Sequence, residues 1–482
     1  MTGSQEIDAD ALANNAGPDA RLSGGLGGHP RGLNVLFFTE MWERFSYYGM
    51  RAILVLFMVA PVVNGGLGFS MAKASTIYAW YTMCVYLTSI PGGYIADKLI
   101  GPRKAVLIGG TVIALGHFTM AFQSLPAFYG GMIIIVLGTG LLKPNISTMV
   151  GRLYPASDRR RDAGFSIFYM GINLGATLSP LVCGTLAQGA GFKTFLKQIG
   201  MQPESSWHFG FAAAGVGMCL GLIHLLAQYK VLDGIGDKIV LKAKEKSASQ
   251  DPEPAADSDQ VSTAGALTEG EQSKLWACAI LFAFNILFWA VYEQGGSSLN
   301  VFADRLTETS ILGFHFESSW LQALQPIYVI ALAPVFSWIW IKMGEKQPAS
   351  PAKFALGLAF LSLGILIMVP AALMSAQGKV SALFLITVYF VETLGELCLS
   401  PIGLSTVTKL APARFQSLLM GGWFVSNSIG NFLAGLLSSL FKSDSSTEMA
   451  VLFGSMAGAA FCAAALLFVL TPKIRTLMGS VR

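Results

Sequence analysis

Charge is what this chain has least of: Asp, Glu, Lys and Arg make up 12% of its 482 residues, against roughly a quarter in an ordinary soluble domain. Hydrophobic residues make up 53%, a composition suited to a lipid solvent. Cysteine is scarce and scattered. Cys84, Cys183, Cys219, Cys278, Cys398 and Cys462 stand apart in apolar segments, without the spacing of a zinc site or redox pair, and read as small packing residues. There is no metal-ligand cluster, and no nucleophile with a base at suitable spacing, so neither a metal nor a membrane enzyme is expected. Residues 1–30 lack the basic start, short apolar run and cleavage site of a signal peptide and read as a cytoplasmic tail. Nothing in the net charge of +4 calls for a nucleic-acid partner.

What the chain has is apolar stretches of about 20 residues, the length a helix needs to cross a bilayer. They predict helices over 33–60, 75–97, 104–123, 128–150, 163–187 and 207–229, and again over 274–303, 318–342, 353–375, 380–410, 414–440 and 448–471. Residues 231–273 include KIVLKAKEKSASQDPEPAADSDQVSTAG, too polar to order itself or to span. The expected organisation is a tail (1–30), a six-helix bundle (31–230), a polar linker (231–273), a second six-helix bundle (274–472) and a short tail (473–482). Basic residues gather in alternate loops: Lys98, Arg103 and Lys104, then Arg159, Arg160 and Arg161, the linker, Lys342, Lys346 and Lys353, and finally Arg414, Lys473 and Arg475. By the positive-inside rule these loops and both termini are cytoplasmic. Two six-helix halves joined on that side are the pattern of the major facilitator fold, an all-α membrane architecture with substrate bound between the halves. The segment GGYIADKLIGPRK (92–104) resembles the signature loop of that superfamily.

Ionisable groups inside the membrane are costly, by about 2.5–3.5 kcal/mol each on insertion scales, and are seldom idle. In EMWERFSYYGMR, Glu40, Glu43, Arg44 and Arg51 share one helix face, with Glu40 and Arg44 spaced to pair at i, i+4. Lys143 in GTGLLKPNIST, Glu293 in FWAVYEQ, and Glu392 and Glu396 in VETLGELCLSP complete the set. The first half is thus net positive and the second net negative. A zwitterion of peptide length fits across such a cavity, carboxylate toward Arg51 and Lys143 and amine toward the glutamates. Five carboxylates facing three cations in a low dielectric also give a physical basis for proton coupling. Trp289 with Glu293, and Trp423 with Asn427, repeat an i, i+4 spacing that turns aromatic and polar groups to one side; Tyr47, Tyr48 and Tyr86 add amphipathic walls. Pro144 beside Lys143, and Pro401 beside Ser400, mark possible hinges.

Taken together, EMWERFSYYGMR, GTGLLKPN, FYMGINLG (168–175), the Trp289/Glu293 pair and GELCLSPIGLS (395–405) resemble the proton-dependent oligopeptide transporter family over residues 32–472. The resemblance implies proton coupling through Glu40, Glu43, Arg44, Lys143 and Glu293. It also implies peptide carboxylate binding by Arg51 and Lys143, backbone contact by Asn173, amine binding by Glu396, and an Arg51–Glu293 pair closing the cavity from outside. Tyr48, Tyr86, Trp289, Gln325, Ser400, Trp423 and Asn427 complete the expected substrate site. The chain departs from the family pattern at Gln325, where Asn is expected, at Tyr292, where some relatives have a second acid, and at the extra carboxylate Glu392. The usual bacterial pair of helices between the bundles is missing.

The function expected is import of di- and tripeptides with protons across the cytoplasmic membrane by alternating access, with protons as the coupling ion and no cofactor. Other readings are a related carrier of nitrate or an amino-acid conjugate, and a non-transporting peptide sensor. A nitrate carrier has no use for an amine-binding Glu396, and a sensor is expected to carry an ordered output domain. Oligomeric state is not legible.

Overall fold

The computed structural model describes residues 24–155, 158, 160–235, 268–411 and 415–479. Most of the 1–30 tail and of the 231–273 linker, together with Arg159 and Arg414, lies outside the described residues. Within them, helices follow one another in two sets. The first comprises α1 (Arg31–Val59), α2 (Met71–Leu87, continued by Ser89–Ile95), α3 (Pro102–Met120), α4 (Leu125–Arg152), α5 (Arg161–Gln188) and α6 (Ser206–Ala227). The second comprises α7 (Glu269–Tyr292, resumed as Ser298–Leu306), α8 (Leu324–Met343), α9 (Ser350–Leu366, continued by Met368–Met374), α10 (Leu383–Leu410), α11 (Gln416–Ser438) and α12 (Ser446–Met478).

Eight helical stretches among the described residues are long and apolar enough to cross a membrane by length and composition. The α1 helix is not among them, because Glu40, Glu43, Arg44 and Arg51 interrupt its apolar run. Large apolar side chains also cover the outside, Phe468 and Val469 on α12 for example, as a lipid-facing surface requires.

In the first half α1 packs on α5 and α6, and α3 on α4; in the second, α9 packs on α10 and α12, and α7 on α11. The halves meet through α2 with α11, α5 with α8, and α1 with the resumed part of α7. Lipid tails are as apolar as Leu, so close backbone approach rather than hydrophobic expulsion holds such helices together. Gly92 in the signature loop supplies one such approach: a Cβ there would lie 2.0 Å from the Gly140 carbonyl oxygen on α4. Farther along the same segment, Gly101 turns the chain into α3 with φ of +85°, a conformation that favours glycine.

The structure adds a short helix, Ala190–Gln198, between α5 and α6, and three further elements differ from the sequence reading. The seventh helix, expected unbroken over 274–303, starts at Glu269 behind a capping box of Thr268 and Glu271. It then breaks at Glu293–Gly296, where two glycines and Ser297 release the helical backbone. The last helix runs on through Pro472 to Met478, because Leu467, Ile474 and Met478 continue one buried stripe at helical spacing. Thirdly, the end of the expected N-terminal tail is folded: His29 is 7% exposed with Nδ1 2.8 Å from the Tyr154 hydroxyl, and Arg160 donates to the Gly28 carbonyl at 2.9 Å.

Candidate substrate and proton site

The charged face of α1 is buried where its helical spacing places it. Arg44 Nε lies 3.1 Å from Glu40 Oε1 and also donates to Glu43 Oε2. All three side chains are buried, and the second oxygens of both glutamates and one terminal nitrogen of Arg44 have no hydrogen-bond partner among the described residues. Two carboxylates thus share one guanidinium in a dry setting. Such a cluster is sensitive to the addition or removal of a single proton, since a buried charge is tolerated only when paired.

Two turns beyond Arg44, Arg51 points between the halves. Its Nη2 pairs with Glu293 Oε2 at the break in α7, and its Nε donates to the Tyr78 hydroxyl at 2.6 Å. The break makes this meeting possible. Gly296 packs directly beneath the pair: a Cβ there would lie 2.2 Å from Tyr78 Oη and 2.8 Å from Arg51 Nε. A buried polar network pins the break to α11. Gln294 Oε1 accepts from Ser298 and Ser438 at 2.6 and 2.7 Å, while its amide donates to the Ala290 and Ala434 carbonyls.

Beside the ion pair is a cavity of about 110 Å³. Tyr48, Arg51, Tyr86 and Asn173 line it from the first half, and Trp289, Glu293, Gln325 and Glu396 from the second. Glu396 accepts a hydrogen bond from Tyr292 at 2.5 Å. Lys143 stands just behind the lining, its Nζ 3.6 Å from the centre of the Tyr86 ring. Glu392 is fully buried and accepts from the Gln325 amide at 3.3 Å, so the residues at 325 and 392, each expected as a separate departure, form a pair.

Above the ion pair the halves are stitched together. Asn300 and Gln322 both donate to the Ala52 carbonyl, at 2.8 and 3.2 Å, and Gln188 of α5 donates to Asp304 and Ser318 at 3.0 and 2.9 Å. The cavity is closed on that side.

Some expected residues do not reach the cavity. Trp423 packs between Phe282 and Phe354, its ring filling the space beside Gly403. Asn427 accepts from Asn285 at 2.5 Å, and Asn285 in turn accepts from Trp289 at 3.0 Å, so Asn427 is linked to the lining through that relay. Tyr47 is buried in the core, and Ser400 is absent from the lining. Tyr78, Gln322 and Asn285 were not singled out in the sequence. For Tyr78 the available signal was its place on the same apolar helix as Tyr86; nothing local distinguishes the other two.

Two helical halves with a polar, charge-lined cavity between them define a membrane transporter of the major facilitator fold. A family model described as the POT family matches residues 103–238 and 253–453, and the chain belongs to that family. It is 40% identical to an uncharacterized transporter, YclF, of Bacillus subtilis, over 95% of this chain and 96% of that one. It is 34% identical to a di-/tripeptide transporter of Lactococcus lactis subsp. cremoris, over 94% of this chain and 98% of that one. A crystal structure of peptide transporter POT in complex with sulfate superposes with a TM-score of 0.82 at 38% identity, covering 98% of this chain and 99% of that one.

Proposed function

We infer that the chain is a proton-coupled symporter that imports di- and tripeptides across the cytoplasmic membrane by alternating access, with both termini cytoplasmic. The observation that carries this reading is a cavity bounded by Arg51 from one half and by Glu293 and Glu396 from the other. A peptide's two charged ends can each meet an opposite charge there, while Tyr48, Tyr86 and Trp289 accept varied side chains by apolar contact. A di- or tripeptide bound this way competes with Glu293 for Arg51.

In this reading protons act by freeing cations. Protonation of Glu40 or Glu43 loosens Arg44, and protonation of Glu293 releases Arg51 to the substrate carboxylate. Deprotonation toward the cytoplasm restores the ion pairs and expels the peptide. Lys143, just behind the wall and stacked on the lining residue Tyr86, couples the two events through that ring. A carrier of a simple anion such as nitrate is disfavoured by the carboxylate of Glu396 in the lining, held by Tyr292.

The test is competition in proteoliposomes. Unlabelled di- and tripeptides should suppress uptake of a labelled dipeptide, whereas nitrate and free amino acids should leave it unchanged. Suppression by nitrate alone would overturn the assignment.

A further inference from the structure

A second and larger cavity, of about 580 Å³, lies at one end of the second half, where α8 passes into α9 and α12 ends. The transport reading makes no use of it. Lys353 lines it while being only 6% exposed. Among the described residues this ammonium has no ion-pair partner: it donates to Gln347 Oε1 at 2.7 Å and stands 4.4 Å from the centre of the Trp340 ring. A buried cation is costly without an anion. Lys409 and Arg475 line the same cavity, and among the described lining residues Glu345 is the one acid.

Two further features fit an anion. The cavity includes the amino end of α9, whose N-cap residue, Ala349, has no side chain able to cap the free backbone N–H groups; helix amino ends attract negative charge. Ser405 adds a hydroxyl to the wall. The neighbouring α8 presents an exposed apolar side, with Trp338 and Ile341 58% and 77% exposed. Acyl chains can therefore lie along α8 while a head group enters the cavity. Basic pockets between helices at a membrane surface are a recurring form of lipid head-group site.

We propose that this cavity binds a phosphoryl group, supplied by an anionic phospholipid, with Lys353 as the buried counter-charge and Lys409 and Arg475 at the mouth. Bound there, the phosphate ties the α8–α9 turn to the end of α12 and braces the second half. Free phosphate has the same chemistry, and the exposed apolar side of α8 favours the lipid.

The experiment uses the purified full-length protein in detergent. Native mass spectrometry measures retention of added phosphatidylglycerol against phosphatidylcholine, and thermal unfolding is followed with and without inorganic phosphate. Wild type is compared with Lys353→Gln and with the surface double variant Lys409→Gln/Arg475→Gln, which keeps the test open if the buried substitution fails to fold. The expected result is preferential retention of phosphatidylglycerol by wild type, weakened about tenfold in either variant, equivalent to ~1.4 kcal/mol. Stabilisation of wild type but not of the variants by inorganic phosphate, without a lipid preference, would support the phosphoryl site and reassign its source. If neither lipid nor phosphate distinguishes wild type from the variants, the proposal is wrong.

Discussion

Arg51 on the first helix and Glu293 at the break of the seventh form an ion pair that joins the two halves across the cavity. The same guanidinium also donates to Tyr78, and Gly296 leaves the room for it. In the proposed mechanism this single contact reports both the closed state of one gate and the availability of a cation for substrate.

Glu293→Gln removes the charge while preserving shape. Loss of one partner from a largely buried ion pair is strongly destabilising to that pairing, by about 3–5 kcal/mol. Gradient-driven dipeptide uptake should fall by at least about tenfold, while the protein remains folded by size-exclusion chromatography. Uptake at the wild-type rate would show that the pair is structural only.

Gly296→Ala places a methyl group against Tyr78 and the Arg51 guanidinium without adding or removing any charge. Overpacking costs typically about 1–3 kcal/mol. The expected outcome is slowed uptake, with a cysteine introduced at Gln322 becoming more reactive to an external thiol reagent as the gate loosens. Unchanged reactivity would mean that the close approach does not set the gate.

Glu396→Gln should raise the KM for dipeptides by about 10- to 100-fold, the equivalent of a charged hydrogen bond worth roughly 1.5–3 kcal/mol. Peptides with a blocked amino terminus should show little further loss in the variant. An equal penalty for blocked and free peptides would remove Glu396 from amine recognition.

Tyr86→Phe keeps the ring beneath Lys143, whereas Tyr86→Leu removes a cation–π contact worth about 0.5–2 kcal/mol. Uptake by the Phe variant should stay close to wild type, and that by the Leu variant should fall several-fold. Equal effects of the two substitutions would assign the role to the hydroxyl.

Much of this site could be read before the fold was known, because charges in apolar helices have few places to go. The shared face of Glu40, Glu43, Arg44 and Arg51 follows from helical geometry, and the Glu40–Arg44 contact from i, i+4 spacing. The pairing of Arg51 with Glu293 came from family resemblance, since no local rule joins residues so far apart in sequence. Trp423 shows the limit of spacing arguments: its polar neighbour Asn427 sits one turn away, yet packing against Phe282 and Phe354 decides where the ring lies. The break in α7 was hidden for a related reason. Its glycines signal flexibility, but the buried Gln294–Ser298–Ser438 network that holds the break in place requires α11 as a partner. Likewise, Gln325 and Glu392 looked like separate departures until the fold placed them 3.3 Å apart.

The most direct measurement of the central claim is uptake of a labelled dipeptide into proteoliposomes with and without an inward proton gradient, for wild type and Glu43→Gln. The account predicts that the gradient drives accumulation in wild type but not in the variant, while the variant still exchanges peptide. Wild type that ignores the gradient would contradict proton coupling, and wild type that ignores the dipeptide would contradict the substrate.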